Sequence, residues 1–216
     1  MTAREAYAQY GIMPILQTHQ LRVAAVGKVI AESLVTPVDV RSVILACLFH
    51  DMGNIIKFDL GTFPESCEPE GRAFWEKKKA DFVRRFGPDE HHATVAIGHE
   101  LHLPLQVMQY IEGVGFSKLE SIRDTHSLGQ KIVEYADLRV TPKGVASMDE
   151  RLEEARIRYA KRRSDFPDEE SRYRVLLEAA REIERQIFSR TTLTPENISE
   201  ESLQTLIEEL QDFPLA

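Results

Sequence analysis

The sequence predicts an all-α fold, and three observations support that prediction. Apolar residues recur every three or four positions along much of the chain, which is the spacing of one face of a helix. Strict alternation of apolar and polar residues, the pattern of a half-buried strand, is scarce. Helix breakers such as Pro37 and the Gly87-Pro88 pair divide the periodic stretches into lengths typical of helices.

The first part of the chain contains most of the predicted helices. Residues 16–35 carry apolar side chains on one face, and residues 38–52 are apolar enough to be buried. After a loop over residues 59–72, a charged helix spans 73–86, and Asp89 begins another that continues to residue 101. Two more helices are predicted over residues 104–113 and 127–140, and a turn follows at 141–144.

The composition becomes more charged after residue 148. Residues 150–163 are almost continuously charged, residues 168–188 are amphipathic, and residues 199–210 form a last short helix. No repeat and no low-complexity linker separates these helices from the preceding ones. We therefore expect residues 146–216 to form a helical extension that packs on a domain made of residues 1–145.

The composition also limits the classes of function. The chain has 216 residues, enough for one domain with a sizeable core, and a formal net charge of −8. This charge disfavours binding to long nucleic acids and to anionic membranes. Cys47 and Cys67 are too few for a disulfide framework, and the N-terminus has no apolar signal segment. We therefore expect a cytoplasmic protein, and the sequence leaves a homodimer open.

Four residues of metal-ligand type lie on the predicted helices in a suggestive order. They are His19, the adjacent His50 and Asp51, and Asp137, which stands out because a buried carboxylate needs a partner. Alone, each has an ordinary explanation, such as a cap for His19 or a salt bridge for Asp137. The flanking sequences are Thr18-His19-Gln20-Leu21-Arg22-Val23-Ala24, Leu48-Phe49-His50-Asp51-Met52-Gly53 and Tyr135-Ala136-Asp137. Together they resemble the HD-domain superfamily of metal-dependent phosphohydrolases, over roughly residues 12–145.

The resemblance implies an HD-domain helical bundle that holds one divalent transition metal through His19, His50, Asp51 and Asp137. Ligation by nitrogen and oxygen together suits Fe, Mn, Zn, Co or Ni better than Ca. Such a metal would activate water for attack on a phosphate ester. We expect the substrate to be a small phosphorylated metabolite or a nucleotide.

Further residues are candidates for the chemistry around the metal. Asp51 would act through the metal, and His92 would donate a proton or bind phosphate, unless it is merely exposed on the first turn of its helix. Arg22 lies three residues after His19 and so shares its helical face. Substrate phosphate would be bound by some of the four nearby cations, Arg22, Lys57, Arg139 and Lys143.

Two departures from the family pattern keep other functions open. Asn54 stands where many relatives have lysine after the core motif and where nucleotidase-like relatives place a water-activating glutamate. The segment 107–113 lacks the second extra histidine of dinuclear relatives, and His126 lies too far along to replace it. The alternatives are a non-catalytic metal- or ligand-binding regulatory HD module and, with two metals, an HD-fold oxygenase.

Overall fold

Helices make up nearly all of the regular structure in the computed structural model, which describes residues 1–61, 64–159 and 169–216. The helices are α1 (Ala3–Tyr10), α2 (Pro14–Glu32), α3 (Val40–Phe49), α4 (Arg72–Phe86), α5 (Glu90–Glu100), α6 (Leu105–Gly113), α7 (Leu119–Asp124), α8 (Leu128–Asp137), α9 (Met148–Tyr159), α10 (Glu169–Phe188) and α11 (Glu200–Glu209). A two-stranded antiparallel hairpin, β1 (Val140–Thr141) and β2 (Gly144–Val145), encloses the predicted turn. The all-α fold class is confirmed.

The predicted helices are present with small shifts at their ends, and two short helices were not predicted. Both α1 and α7 are too short to repeat an apolar face clearly. Short 3-10 helices also occur in the predicted loops, for example at Asn54–Ile56 and Pro64–Cys67. The predicted helix end at residue 163 and the predicted helix start at residue 168 lie outside the described residues.

The core is built on α2, which packs against α3 and α8. Pro14 starts α2 at a position where a missing N–H costs nothing, and Asp39 caps α3 by accepting the N–H of Ser42 at 3.0 Å. The two helices approach so closely that a Cβ atom on Gly27 would lie 2.8 Å from Sγ of Cys47. This packing fixes the end of α3 beside the middle of α2.

The C-terminal helices lie against the N-terminal part rather than apart from it. Helix α10 packs on α7 and α8, and α11 packs on α2. The two ends of the chain also meet, since the N–H of Ala3 donates to the carbonyl of Phe213 at 3.0 Å. Within the described ranges, no helix is both long enough and apolar enough to cross a membrane.

Candidate metal centre

Three helix-derived segments bring the four predicted ligands to one place. His19 lies in the N-terminal third of α2, Asp137 is the last residue of α8, and His50 and Asp51 form the turn that follows α3. Because α2 packs against both α3 and α8, the side chains from these segments converge. The ligand atoms of His19, His50 and Asp51 all lie within 4.8 Å of one another.

Asp137 adjoins this cluster through a short contact with His19 and a longer one with His50. Its Oδ1 atom lies 3.0 Å from Nε2 of His19 and 3.7 Å from Nε2 of His50. The Oδ2 atom of Asp51 is placed similarly, at 3.6 Å from His19 Nε2 and 3.7 Å from His50 Nε2. The Nε2 atom of each imidazole therefore lies within 3.7 Å of an oxygen from both carboxylates.

His50 provides the clearest indication that the cluster is a binding site. Its Nδ1 atom lies 2.8 Å from the carbonyl of Cys47, which can only accept, so Nδ1 carries the proton. Its Nε2 atom is buried and has no hydrogen-bond partner among the described residues, because both carboxylates lie too far away at 3.7 Å. A buried polar atom without a partner is costly unless a ligand binds it. Imidazole nitrogens and carboxylate oxygens, the ligand atoms of this cluster, suit a divalent transition metal.

The charges in the cluster perturb one another strongly. Burial alone would lower the pKa of His50, but the carboxylates of Asp51 and Asp137 raise it to about 9. Burial would also oppose ionisation of Asp137, yet His19 and His50 hold its pKa well below the usual value. His50 lies at the floor of the site with 3% of its side chain exposed, whereas that of Asp137 is 32% exposed. The site is thus charged, closed below and open to solvent above.

Among the predicted substrate-binding cations, Lys57 interacts electrostatically with the carboxylates of the cluster. Burial alone would lower the pKa of its ammonium group, but the negative charges of Asp51, Glu90 and Asp137 raise it. Its Nζ atom lies 3.3 Å from Oε1 of Glu90, at the start of α5. Lys57 follows the 3-10 helix after the His50–Asp51 turn, which explains how it comes near the metal ligands.

The two predicted arginines are occupied elsewhere. Nε of Arg22 donates to Glu200 of α11 at 2.8 and 3.1 Å, which ties the C-terminal extension to α2. Arg139 is 3% exposed and donates to the carbonyls of Ala146, Pro195 and Ile198 and to the hydroxyl of Tyr135. These contacts do not support the predicted phosphate binding, because the donor groups already have partners. Lys143 is exposed in the turn between β1 and β2.

The placement of His92 does not support its predicted role either. The face of α5 that contacts the Asp51–Gly53 turn is formed by Ala93 and Thr94. At about 100° per residue, His92 lies about 150° from the centre of that face and His91 about 110°. His92 is exposed, whereas His91 is half-buried. The sequence favours His92 over His91, because Val95 and Ala96 match the family pattern that follows, but it does not show the orientation of either side chain, which depends on how α5 packs.

A cavity opens beside Lys57, with a volume of about 280 Å³. It is lined by Lys57, Phe58, Asp59, Leu60, Gly61, Arg72, Glu76 and Lys79. Lys79 is held in place because its Nζ donates to the carbonyl of Phe58 at 2.9 Å. The cavity combines apolar walls with charged groups and is large enough for part of a small molecule.

Comparison with known proteins agrees with the geometry of the cluster. The family model described as HD domain matches residues 16–137, more than half of the chain, and this range extends from α2 to the last residue of α8. No curated protein and no solved structure matches the chain. The matched range contains all four residues of the cluster, including His50, whose Nε2 has no partner within the described ranges. The chain therefore belongs to the HD-domain superfamily of metal-dependent phosphohydrolases.

Proposed function

We propose that this protein is a metal-dependent phosphohydrolase that acts on the phosphate ester of a small phosphorylated metabolite or nucleotide. The observation that carries the proposal is the unpartnered Nε2 atom of His50, which faces a cluster of His19, Asp51 and Asp137. These four residues would hold one divalent transition metal. When bound, such a metal supplies an ionised water and stabilises charge on phosphoryl oxygens.

Residues around the metal site would have separate roles in holding the cation and binding the substrate. Asp51 and Asp137 bring negative charge, which retains a cation in a site whose floor is closed by His50. Lys57 carries a positive charge near those carboxylates and would attract the substrate phosphate from the solvent side. The cavity beside Lys57 would accept the rest of the substrate. Its limited volume and the net charge of −8 favour a small substrate over a polymer.

A non-catalytic regulatory module is the second candidate, and Asn54 is the observation that favours it. Asn54 occupies the position where nucleotidase-like relatives carry the water-activating glutamate, and an amide cannot accept a proton in that role. Such a module would still bind metal at the four ligands. Metal content and turnover must therefore be measured separately.

The test uses the full chain purified without chelators. We expect about one equivalent of a transition metal by elemental analysis, and phosphate release from a panel of small phosphate esters with added Mn, Co, Ni, Zn, Fe or Mg. Asp51→Ala should lose the metal and reduce turnover to background, because a ligand carboxylate is removed.

The matched control is Asp124→Ala, which removes an exposed aspartate paired with its neighbour Arg123. This variant should keep both metal and activity. A wild-type protein that binds metal but releases no phosphate from any ester would favour the regulatory module. A wild-type protein without metal would contradict both candidates.

A further inference from the structure

The turn that carries Asp51 is held by side chains that come from other helices. Helix α3 ends at Phe49, and the backbone N–H groups of the turn that follows need acceptors of their own. The N–H of Asp51 donates to Oε1 of Gln20 at 3.3 Å, and the N–H of Gly53 donates to Oγ1 of Thr94 at 2.9 Å. The turn is therefore fixed at two points, one from α2 and one from α5.

Both side chains are buried, although neither is a ligand. Gln20 has no exposed surface, and Thr94 is 1% exposed. A buried amide or hydroxyl is retained without cost only when it is hydrogen-bonded. Gln20 directly follows the ligand His19, so one short segment of α2 supplies a ligand and supports the backbone of another. Thr94 also donates to the carbonyl of Glu90 at 2.9 Å, which places its hydroxyl between α5 and the turn.

The contact between the turn and α5 leaves no space for a side chain at Gly53. A Cβ atom on Gly53 would lie 2.1 Å from the carbonyl oxygen of Glu90 and 2.8 Å from Cβ of Ala93. The backbone of the turn therefore lies directly on α5. The same first turn of α5 carries the Glu90 carboxylate that contacts Lys57.

We infer that Gln20 and Thr94 are positioning residues that clamp the His50–Gly53 turn and thereby set the affinity of the metal site. The inference rests on the metal site of the proposed function but not on its catalytic activity. Loss of a residue that orients a metal ligand typically weakens metal binding by roughly ten- to a hundred-fold. The effect should reach Asp51 through its backbone rather than through any contact with the ion.

The test compares near-isosteric variants that remove one hydrogen-bonding group. Thr94→Val and Gln20→Met should each weaken the binding of Zn or Mn, titrated into metal-free protein, by roughly ten- to a hundred-fold. Thr94→Ser keeps the hydroxyl and should bind metal within about three-fold of wild type. If Thr94→Val does not fold, Thr94→Ala provides the same comparison without an added methyl group.

The matched control is Ser42→Ala, which removes a buried hydroxyl that donates to Asp39 at the opposite end of α3. It should lower thermal stability to a similar degree but leave metal affinity unchanged. Equal metal affinity in Thr94→Val, Gln20→Met and wild type would overturn the inference and leave both residues as ordinary core groups.

Hydrogen exchange separates this inference from the proposed function. In metal-free protein, the amide of Gly53 should exchange faster in Thr94→Val than in wild type, and the amide of Asp51 should do so in Gln20→Met. If the wild type binds no metal, the proposed function fails, yet faster exchange at these amides still supports the clamp. Unchanged exchange at both amides overturns it.

Discussion

Asp137 and Arg139 lie two residues apart at the end of α8, yet their surroundings are opposite. Arg139 is buried, and each of its three guanidinium nitrogens donates to a partner; the acceptors are three backbone carbonyls and the hydroxyl of Tyr135. Asp137 is partly exposed and faces two imidazoles, one of which has a buried nitrogen without a partner in the described part of the chain. A buried charge with full hydrogen bonding stabilises architecture, whereas a charged cluster with a missing partner indicates a ligand. Arg139 therefore supports the fold and Asp137 belongs to a binding site, although the two residues are only about half a helical turn apart.

Exchanging the two charges for neutral groups should give opposite results. Arg139→Met leaves three backbone carbonyls without this donor and should lower the free energy of unfolding by about 3 kcal/mol, at roughly 1 kcal/mol for each lost hydrogen bond. The folded fraction should keep its metal. Asp137→Asn should stay folded but lose metal affinity by more than roughly a hundred-fold, because it removes a ligand rather than an outer partner. Urea denaturation and metal titration measure the two effects.

The distinction between the residues would fail if both variants lost metal and stability together. In that case Arg139 would also support the metal centre, through the last turn of α8. A second arginine, Arg123, provides the control, because it is paired with Asp124 near the surface. Arg123→Met should change neither quantity by a measurable amount, since surface ion pairs contribute little.

Glu134 sharpens the same comparison, because it lies one turn before Asp137 and is 2% exposed. Burial raises the pKa of its carboxyl to about 7, the N–H of Gly115 opposes this shift, and the charge of Asp137 adds to it. A folded-state pKa above the unfolded value favours the protonated group. The contribution of the protonated Glu134 carboxyl to stability is therefore complete below about pH 4.5 and is lost as the pH rises through about 7.

Glu134→Gln removes this titration while keeping an oxygen that can accept the N–H of Gly115. We expect the unfolding free energy of the variant, relative to wild type, to rise by about 2 kcal/mol between pH 5 and pH 8. Urea denaturation of metal-free protein at several pH values measures the difference. A constant offset between the two proteins across this range would show that Glu134 titrates with an ordinary pKa in the fold.

The sequence predicted the parts of this molecule that depend on local pattern. The long helices and the order of His19, His50-Asp51 and Asp137 could be read directly, because helical periodicity and motif spacing are local properties. The partners of the arginines could not be predicted from local pattern. Arg22 donates a hydrogen bond to Glu200, and Arg139 donates to carbonyls more than 50 residues further along the chain. The support that Gln20 and Thr94 give to the turn depends on packing between helices, so no sequence signal indicated it.

His92 tests whether the packing of α5 predicts the role of a residue better than the sequence motif does. The family pattern predicts that His92 donates a proton, so that His92→Ala would reduce turnover by roughly a hundred- to ten-thousand-fold. Its exposure and its position on α5, turned away from Gly53, lead us to expect a fall of less than about five-fold, well below the range for a general acid. His91→Ala, in the same turn but on the half-buried side, is the matched variant.

The measurement is turnover of two substrates that differ in the quality of the leaving group, with metal content determined for each variant. A proton donor matters most for a poor leaving group, so the variant that lacks the donor should lose more activity on that substrate. If His91→Ala shows this pattern and His92→Ala does not, His91 is the proton donor, as the orientation of α5 indicates. A loss of a hundred-fold or more in His92→Ala, with metal retained, would instead mean that α5 rotates or shifts when substrate binds.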